Sequence, residues 1–294
     1  MIEAIQAERD NLAALLTLAV AEDVGTGDVT SQMLPVTAHL TARFVAREPM
    51  VVCGLTFLPQ IAAAYGEIAT DVLASEGQQV AAGDVLATWA GPARVVLPAE
   101  RVALNFLQRL SGIATLTSRY VQAVEGTAAA IVDTRKTTPG WRVLEKYAVR
   151  AGGGTNHRMG LYDAVLVKDN HLVAMVGEGA SDPIAALAEK LKSARAQLPA
   201  SGFIEMEVDT LEQLAVALGL DVDIILLDNM SPAVMAQAVT MRDDRSLGVA
   251  LEASGGVTLA TVRAAAEAGV ERIAIGALTH SATAVDIGLD EDLR

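Results

Sequence analysis

With 294 residues, 52% of them hydrophobic and 20% charged, the chain can bury one large core or two ordinary ones, which excludes a disordered protein. Its formal net charge of −14 excludes a nucleic-acid backbone as the general partner, because binding phosphate chains needs a basic surface. No apolar run approaches the roughly 20 residues of a membrane span: Leu12 to Ala21 is interrupted by Thr17 and stops at Glu22-Asp23, and Met1-Ile2-Glu3-Ala4 has neither the basic nor the apolar region of a secretory signal.

The N-terminal part has no regular repeat. Leu12, Leu15, Leu16 and Val20 fall at helical spacing, and Gly25-Thr26-Gly27-Asp28 then breaks the chain. Leu40, Ala42, Phe44 and Ala46 alternate with Thr41, Arg43, Val45 and Arg47, the mark of a half-buried strand. The single cysteine, Cys53, cannot form an internal disulfide; it reads as a small buried hydrophobe in a reducing, cytoplasmic compartment. Gly-Asp turn signals between Glu76 and Gly91 indicate a small β-element, and Pro98 precedes a buried helix from Ala99 to Leu110. An α+β domain is expected here.

From about Ala129 the pattern changes. Six short apolar segments recur: Ala130 to Val132, Ala164 to Val167, Ile204 to Val208, Ile224 to Leu227, Val249 to Leu251 and Ile273 to Ile275. Helical candidates lie between them, at Pro183 to Ala196, Leu211 to Leu218, Ala233 to Met241 and Leu259 to Ala268. Continuously apolar strands alternating with helices imply a parallel sheet covered by helices. Six strands are fewer than the eight of a full α/β barrel, so a doubly wound sheet stands as the alternative.

Polar residues or glycines close each segment: Asp133 to Lys136, Lys168-Asp169-Asn170-His171, Glu207, Asp228-Asn229, Glu252 to Gly256, and Gly276. In parallel α/β folds these ends converge on one face, where ligands bind. Residues 133 to 171 also hold seven of the 22 Lys and Arg and two of the four His, against about three Lys or Arg on an even spread. Arg142, Lys146 and Arg150, four apart, read as a solvated helical stripe. Arg135, Lys136, His157, Arg158 and Lys168 remain, a set suited to a substrate with several negative charges. The triple glycine Gly152 to Gly154 is expected to bring backbone N–H groups close to oxyanions. Glu207 and Asp228 face this cationic set as candidates for a hard divalent cation or sugar hydroxyls. The loops Ser254-Gly255-Gly256 and Gly276-Ala277 resemble the phosphate sites that follow the last strands of many barrels.

These segments resemble the quinolinate phosphoribosyltransferases, the decarboxylating nicotinate-nucleotide pyrophosphorylases. The resemblance runs nearly the length of the chain, through Glu22-Asp23 to Ser31, Glu100-Arg101 with Asn105 to Thr115, Asp133 to Gly140, Gly152 to Gly160 with Asn156-His157-Arg158, Leu161 to His171, Glu205 to Asp209, Leu227 to Met230, Glu252 to Gly256 and Ile275 to Thr279. Trp141 is less usual there. The resemblance implies an N-terminal α+β sandwich domain over 1–115, an incomplete α/β barrel over 116–281, and a tail, about 282–294, packing back on the first domain. It implies a cytoplasmic homodimer in which Arg101 reaches the neighbouring subunit's quinolinate. Thr134, Arg135, His157, Arg158 and Lys168 would clamp that dicarboxylate. Lys136 and Lys168 would contact 5-phosphoribosyl-1-pyrophosphate, Glu207 and Asp228 its ribose and Mg²⁺, and Ser254, Gly255, Gly256, Gly276 and Ala277 its 5-phosphate. The products would be nicotinate mononucleotide, CO₂ and pyrophosphate, in NAD biosynthesis. Three rivals stand beside it: a Schiff-base lyase or aldolase using Lys168, a nicotinate phosphoribosyltransferase, and a molybdenum-uptake-associated accessory homologue.

Overall fold

A computed structural model describes residues 4–168, 171, 183–245 and 248–293. The chain forms two compact units, one of Met1–Ser118, Lys136–Gly154 and Ala277–Arg294, the other of Arg119–Arg135 and Thr155–Gly276.

In the first unit, α1 (Gln6–Asp23) buries Leu12 and Leu16, as their spacing requires. Strands β1 (His39–Ala46), β2 (Met50–Val51), β3 (Ala69–Val72), β4 (Gln79–Val80) and β5 (Val85–Pro92) follow. β5 lies between β1 and β3, and the C-terminal strand Ile287–Leu293 adds to the other side of β1, giving a four-stranded antiparallel sheet. Leu40, Ala42, Phe44 and Ala46 all point inward, and Phe44 meets Trp89 edge-on at 4.9 Å between ring centres.

After α2 (Leu58–Ala63), α3 runs from Ala93 to Ala123, extending past the expected Ala99 to Leu110 at both ends and furthest at its C-terminal end. Pro98 lies inside it and removes the N–H that would bond the residue-94 carbonyl. Burial of Val96, Ala99, Val102, Ala103 and Leu107 along one face outweighs that loss. Ser111 and Thr115 turn their hydroxyls to the strand β2 region, each accepting a backbone N–H at 2.9 Å, from Cys53 and Val51. Cys53 is fully buried, and burial pushes its thiol well above the usual range. Gly112 lets the returning chain cross α3: a Cβ there would lie 2.1 Å from the Thr283 carbonyl oxygen.

The solvated stripe expected on α4 (Arg142–Ala151) is a correction. Lys146 is fully buried, Arg150 pairs with Glu8 at 2.8 Å, and Arg142 Nε donates to Thr137 Oγ1 at 3.0 Å. Leu144 to Val149 are all buried, so this helix is enclosed on several sides and has no free face for a stripe. The triple glycine is corrected as well. The N–H groups of Gly152, Gly153 and Gly154 are already donated to the carbonyls of Ala148, Arg150 and Val149. A Cβ at Gly152 would meet the Ala114 carbonyl at 2.4 Å, and one at Gly154 would meet Val149 and Thr117 below 3 Å. These glycines serve close packing against α3.

The second unit carries β6 (Ala130–Val132), β7 (Val165–Val167), β8 (Ile204–Val208), β9 (Ile224–Asp228), β10 (Ala250–Ser254) and β11 (Arg272–Ala274). They form one parallel sheet in the order β6-β11-β10-β9-β8-β7. From β7 to β11 each strand neighbours the next in sequence, and β11 returns to pair with β6. That circular order belongs to a barrel wound in one direction, whereas a doubly wound sheet reverses at a switch point. Among the described residues β6 and β7 do not pair, so the barrel is incomplete. Thr155 makes a parallel bridge beside Val132 instead. Helices α5 (Pro183–Arg195), α6 (Leu211–Ala217), α7 (Pro232–Asp243) and α8 (Val262–Glu267) follow β7 to β10 in turn. Thr210 caps α6 by accepting the Gln213 N–H, and Ser231 caps α7 ahead of Pro232. Among the described residues no helix is long and apolar enough to cross a membrane.

Candidate active site

Because the six strands are parallel, their C-terminal ends lie at one edge of the sheet. Arg135 follows β6, Lys168 follows β7 directly, Glu207 is the next-to-last residue of β8, and Asp228 and Ser254 end β9 and β10. Gly276 follows β11. Ser254 sits opposite Asp228 in register, and Lys168 Nζ forms an ion pair with Glu207 from the neighbouring strand. Arg135, Thr134, His157, Arg158, Lys168, Glu207, Asp228, Ser254, Gly255, Gly256 and Gly276 thus all belong to the second unit. Arg101, Lys136 and Ala277 belong to the first.

The segment 155–158 is built onto β6 by main-chain and carboxylate contacts. Thr155 N–H donates to the Ile131 carbonyl at 2.8 Å, and the buried Asp133 accepts from His157 N–H at 2.9 Å and from Asn156 Nδ2 at 2.6 Å. Arg158, next in line, is half-buried and donates through Nη1 to the Ala164 carbonyl at 3.2 Å. Burial first, and then the positive charge of Arg135, depress the Arg158 guanidinium's affinity for its proton.

The glycine turn after β10 is constrained. Asn229 adopts φ 52° and donates its N–H to the Ser254 carbonyl at 2.9 Å. Gly255, at φ 94°, lies so close that a Cβ would sit 2.2 Å from Asn229 Oδ1. Gly256, at φ 61°, has open space around it. His171 is exposed and accepts the Lys168 N–H at Nδ1 (3.1 Å), so it closes the turn that carries the lysine. Asp169 and Asn170 lie outside the described residues.

Inside the barrel lies a polar cluster that the sequence reading passed over. His157 Nε2 is 2.8 Å from Glu205 and 3.5 Å from Glu252, and Arg272 Nε bonds Glu252 at 2.7 Å. Both glutamates are fully buried, and desolvation pushes both carboxyls well above the usual range; for Glu252 repulsion from Glu205 adds to it. Glu205 lies two residues before Glu207 on the same inward face of β8, and a charge in mid-strand is the one signal that could have pointed to the cluster.

Two places offer oxygen ligands to a metal. His157, Glu205 and Glu252 present ligand atoms within 4.8 Å of one another. They fit a cation poorly: His157 Nδ1 accepts the Arg158 N–H at 2.8 Å, which leaves the proton of a neutral ring on Nε2, the atom facing the acids. Arg272 already supplies positive charge there. Glu207 and Asp228, on adjacent strands at the sheet edge, fit the sparse carboxylate pair that Mg²⁺ uses together with substrate phosphates.

In the first unit, Arg101 is 61% exposed at its side chain. It borders a groove of about 400 Å³ shared with Leu15, Leu18, Glu22 and Trp141. Trp141 stacks on Phe106 with ring centres 4.6 Å apart, so the unusual residue has a packing partner.

Comparison with known proteins agrees with this architecture. The model of the quinolinate phosphoribosyl transferase C-terminal domain matches residues 113–290, and that of the N-terminal domain matches residues 28–111. The probable nicotinate-nucleotide pyrophosphorylase [carboxylating] of Bacillus subtilis is 39% identical over 283 residues, 96% of this chain and 94% of that protein. The nicotinate-nucleotide pyrophosphorylase [carboxylating] of Mycobacterium leprae is 43% identical over 277 residues, 92% of this chain and 94% of that one. The solved nicotinate-nucleotide pyrophosphorylase of Francisella tularensis superposes with a TM-score of 0.88 at 35% identity, covering 99% of both chains. With both domain models matched in order and identity this high over nearly the whole length, the chain belongs to the quinolinate phosphoribosyltransferase family.

Proposed function

We propose that this chain transfers phosphoribosyl from 5-phosphoribosyl-1-pyrophosphate to quinolinate with decarboxylation, forming nicotinate mononucleotide, CO₂ and pyrophosphate for NAD biosynthesis. The observation that supports the reading is that half-buried Arg135 and Arg158 are carried to the C-terminal end of β6, Arg135 by the chain directly and Arg158 by the 155–158 segment that Asp133 holds there. Planar guanidinium forks suit two adjacent carboxylates. Thr134, His157 and Lys168 complete the quinolinate set, with Arg101 contributed by a second copy of the chain. Lys136 and Lys168 hold the donor's pyrophosphate, and Glu207 and Asp228 face its ribose. Ser254, Gly255, Gly256, Gly276 and Ala277 hold its 5-phosphate. The buried lone cysteine fits a reducing, cytoplasmic setting.

In the reaction the quinolinate ring nitrogen bonds to the sugar's anomeric carbon as the bond to pyrophosphate breaks. Positive charge develops on the sugar and negative charge on the departing group, so carboxylates near the one and lysines near the other lower the barrier. Mg²⁺ bound at Glu207 and Asp228 would supply countercharge to the leaving pyrophosphate. The ring nitrogen is then cationic and stabilises the carbanion left on the adjacent ring carbon when its carboxylate departs as CO₂; that carbon then takes up a proton. No covalent enzyme intermediate is required. The ion pair of Lys168 with Glu207 argues against a Schiff-base role, which needs a desolvated lysine or a cationic neighbour. The test is the purified protein with quinolinate, donor and Mg²⁺, followed for nicotinate mononucleotide; no product with both substrates present would refute the reading.

A further inference from the structure

One buried ion pair in the first unit reaches three parts of the chain at once. Glu145 of α4 is completely enclosed and receives the Arg109 guanidinium of α3 at 2.8 Å. Its carboxylate also accepts the Thr138 N–H at 3.1 Å and the Thr138 hydroxyl at 2.8 Å. Arg109 in turn donates to the Ala282 carbonyl at 2.7 Å and to the carbonyl of Thr279. The Thr279 hydroxyl closes the loop by donating to the Lys136 carbonyl at 2.7 Å. Lys136 itself is exposed. Apart from the Arg109–Glu145 pair itself, every charge-assisted bond in this set ends on Thr138, two residues from Lys136, or on the segment 279–282 whose Thr279 bonds the Lys136 carbonyl.

Where a lysine's backbone lies sets the reach of its ammonium group, so fixing the chain at residue 136 restricts where that charge can go. Here the carbonyl of residue 136 and the N–H of residue 138 are both fixed from beneath, on either side of Thr137. We infer that Glu145, braced by Arg109 and completed by Thr279, is a positioning residue that presets Lys136 for the donor's pyrophosphate. The inference rests on the donor-side role given to Lys136 above.

The experiment is a double-mutant cycle of Glu145→Gln with Lys136→Ala, measuring KM for donor and for quinolinate separately, with amide hydrogen exchange at Thr138. Glu145→Gln alone should raise the donor KM roughly tenfold, the scale of one charged hydrogen bond. Quinolinate KM should stay within about twofold, and the Thr138 amide should exchange faster. In the Lys136→Ala background the same change should add less than about twofold, because a residue acting through Lys136 has nothing left to position. Thr279→Val, which removes one hydroxyl, should reproduce the pattern more weakly and stands in if Glu145→Gln does not fold. An effect that is additive with Lys136→Ala, or equal on both substrates, overturns the inference and leaves a purely structural ion pair. Faster exchange at Thr138 with a donor KM unaffected even by Lys136→Ala overturns instead the donor-side role of Lys136 on which the inference rests.

Discussion

Lys168 Nζ and Glu207 are ion-paired between neighbouring parallel strands, β7 and β8, at the edge where all six strands end. The pair gives a lysine aimed at anions a fixed direction and leaves its side chain 45% exposed. Lys168→Ala should therefore lower kcat/KM by about 10²–10³ or more, the usual cost of one preorganised contact to developing charge. Thermal unfolding should shift little, because an exposed pair contributes only about 0–1 kcal/mol. Steady-state kinetics and calorimetry on one preparation check both.

Arg135→Ala should abolish most turnover for a different reason. It removes a half-buried guanidinium at the end of β6, and the dianion loses its fork. Quinolinate KM should rise more than donor KM. An equal rise in both would count against the assignment.

Gly255→Ala meets a geometric barrier. Its φ is 94°, and the new methyl would sit 2.2 Å from Asn229 Oδ1 and 2.9 Å from the Asn229 nitrogen. The strain should cost roughly 1–3 kcal/mol of stability, and displacement of the turn after β10 should weaken donor binding. Denaturant titration and donor KM measure the two effects.

Glu252 predicts a pH dependence. Its ordinary value is 4.5, and burial, with repulsion from Glu205, raises it to about 7 in the folded chain. Between those values the folded state holds more protons than the unfolded, so stability contributed by this group falls as pH rises. Glu252→Gln removes the titration, while loss of the Arg272 ion pair adds a constant offset. The variant-minus-parent difference in Tm should climb from about pH 4.5 to 7 and be flat on either side. A difference independent of pH would show that Glu252 titrates normally.

Chelation of divalent metal should stop turnover while leaving Tm almost unchanged, since two carboxylates at a sheet edge are a weak site without substrate phosphates. Activity should return with Mg²⁺ and the donor together.

Much of the second unit was legible because parallel strands buried on both faces are continuous apolar runs. β6 and β8 have the expected bounds and the other four differ by at most three residues, and the strand order decides the barrel over the doubly wound sheet. The polar interior was not legible. Whether Glu205 is buried depends on His157 and Glu252, each more than 40 residues away, and no local pattern encodes those meetings. The triple glycine shows the same limit: a glycine run permits either anion contact or close packing, and only the position of α3 decides. Lys146 looked solvated because charge at helical spacing usually is; here Leu144 to Val149 are buried on every side. The Arg109–Glu145 pair, 36 residues apart, was invisible for the reason that hid Glu205.

The central claim is that a pyridine dicarboxylate is held and alkylated at the strand ends of the second unit. Quinolinate labelled in its 2-carboxylate, incubated with protein, donor and Mg²⁺, tests it directly. One labelled CO₂ and one pyrophosphate should appear for each nicotinate mononucleotide, with no CO₂ when the donor is omitted. Label released without the donor, or nicotinate consumed as readily as quinolinate, would contradict the account.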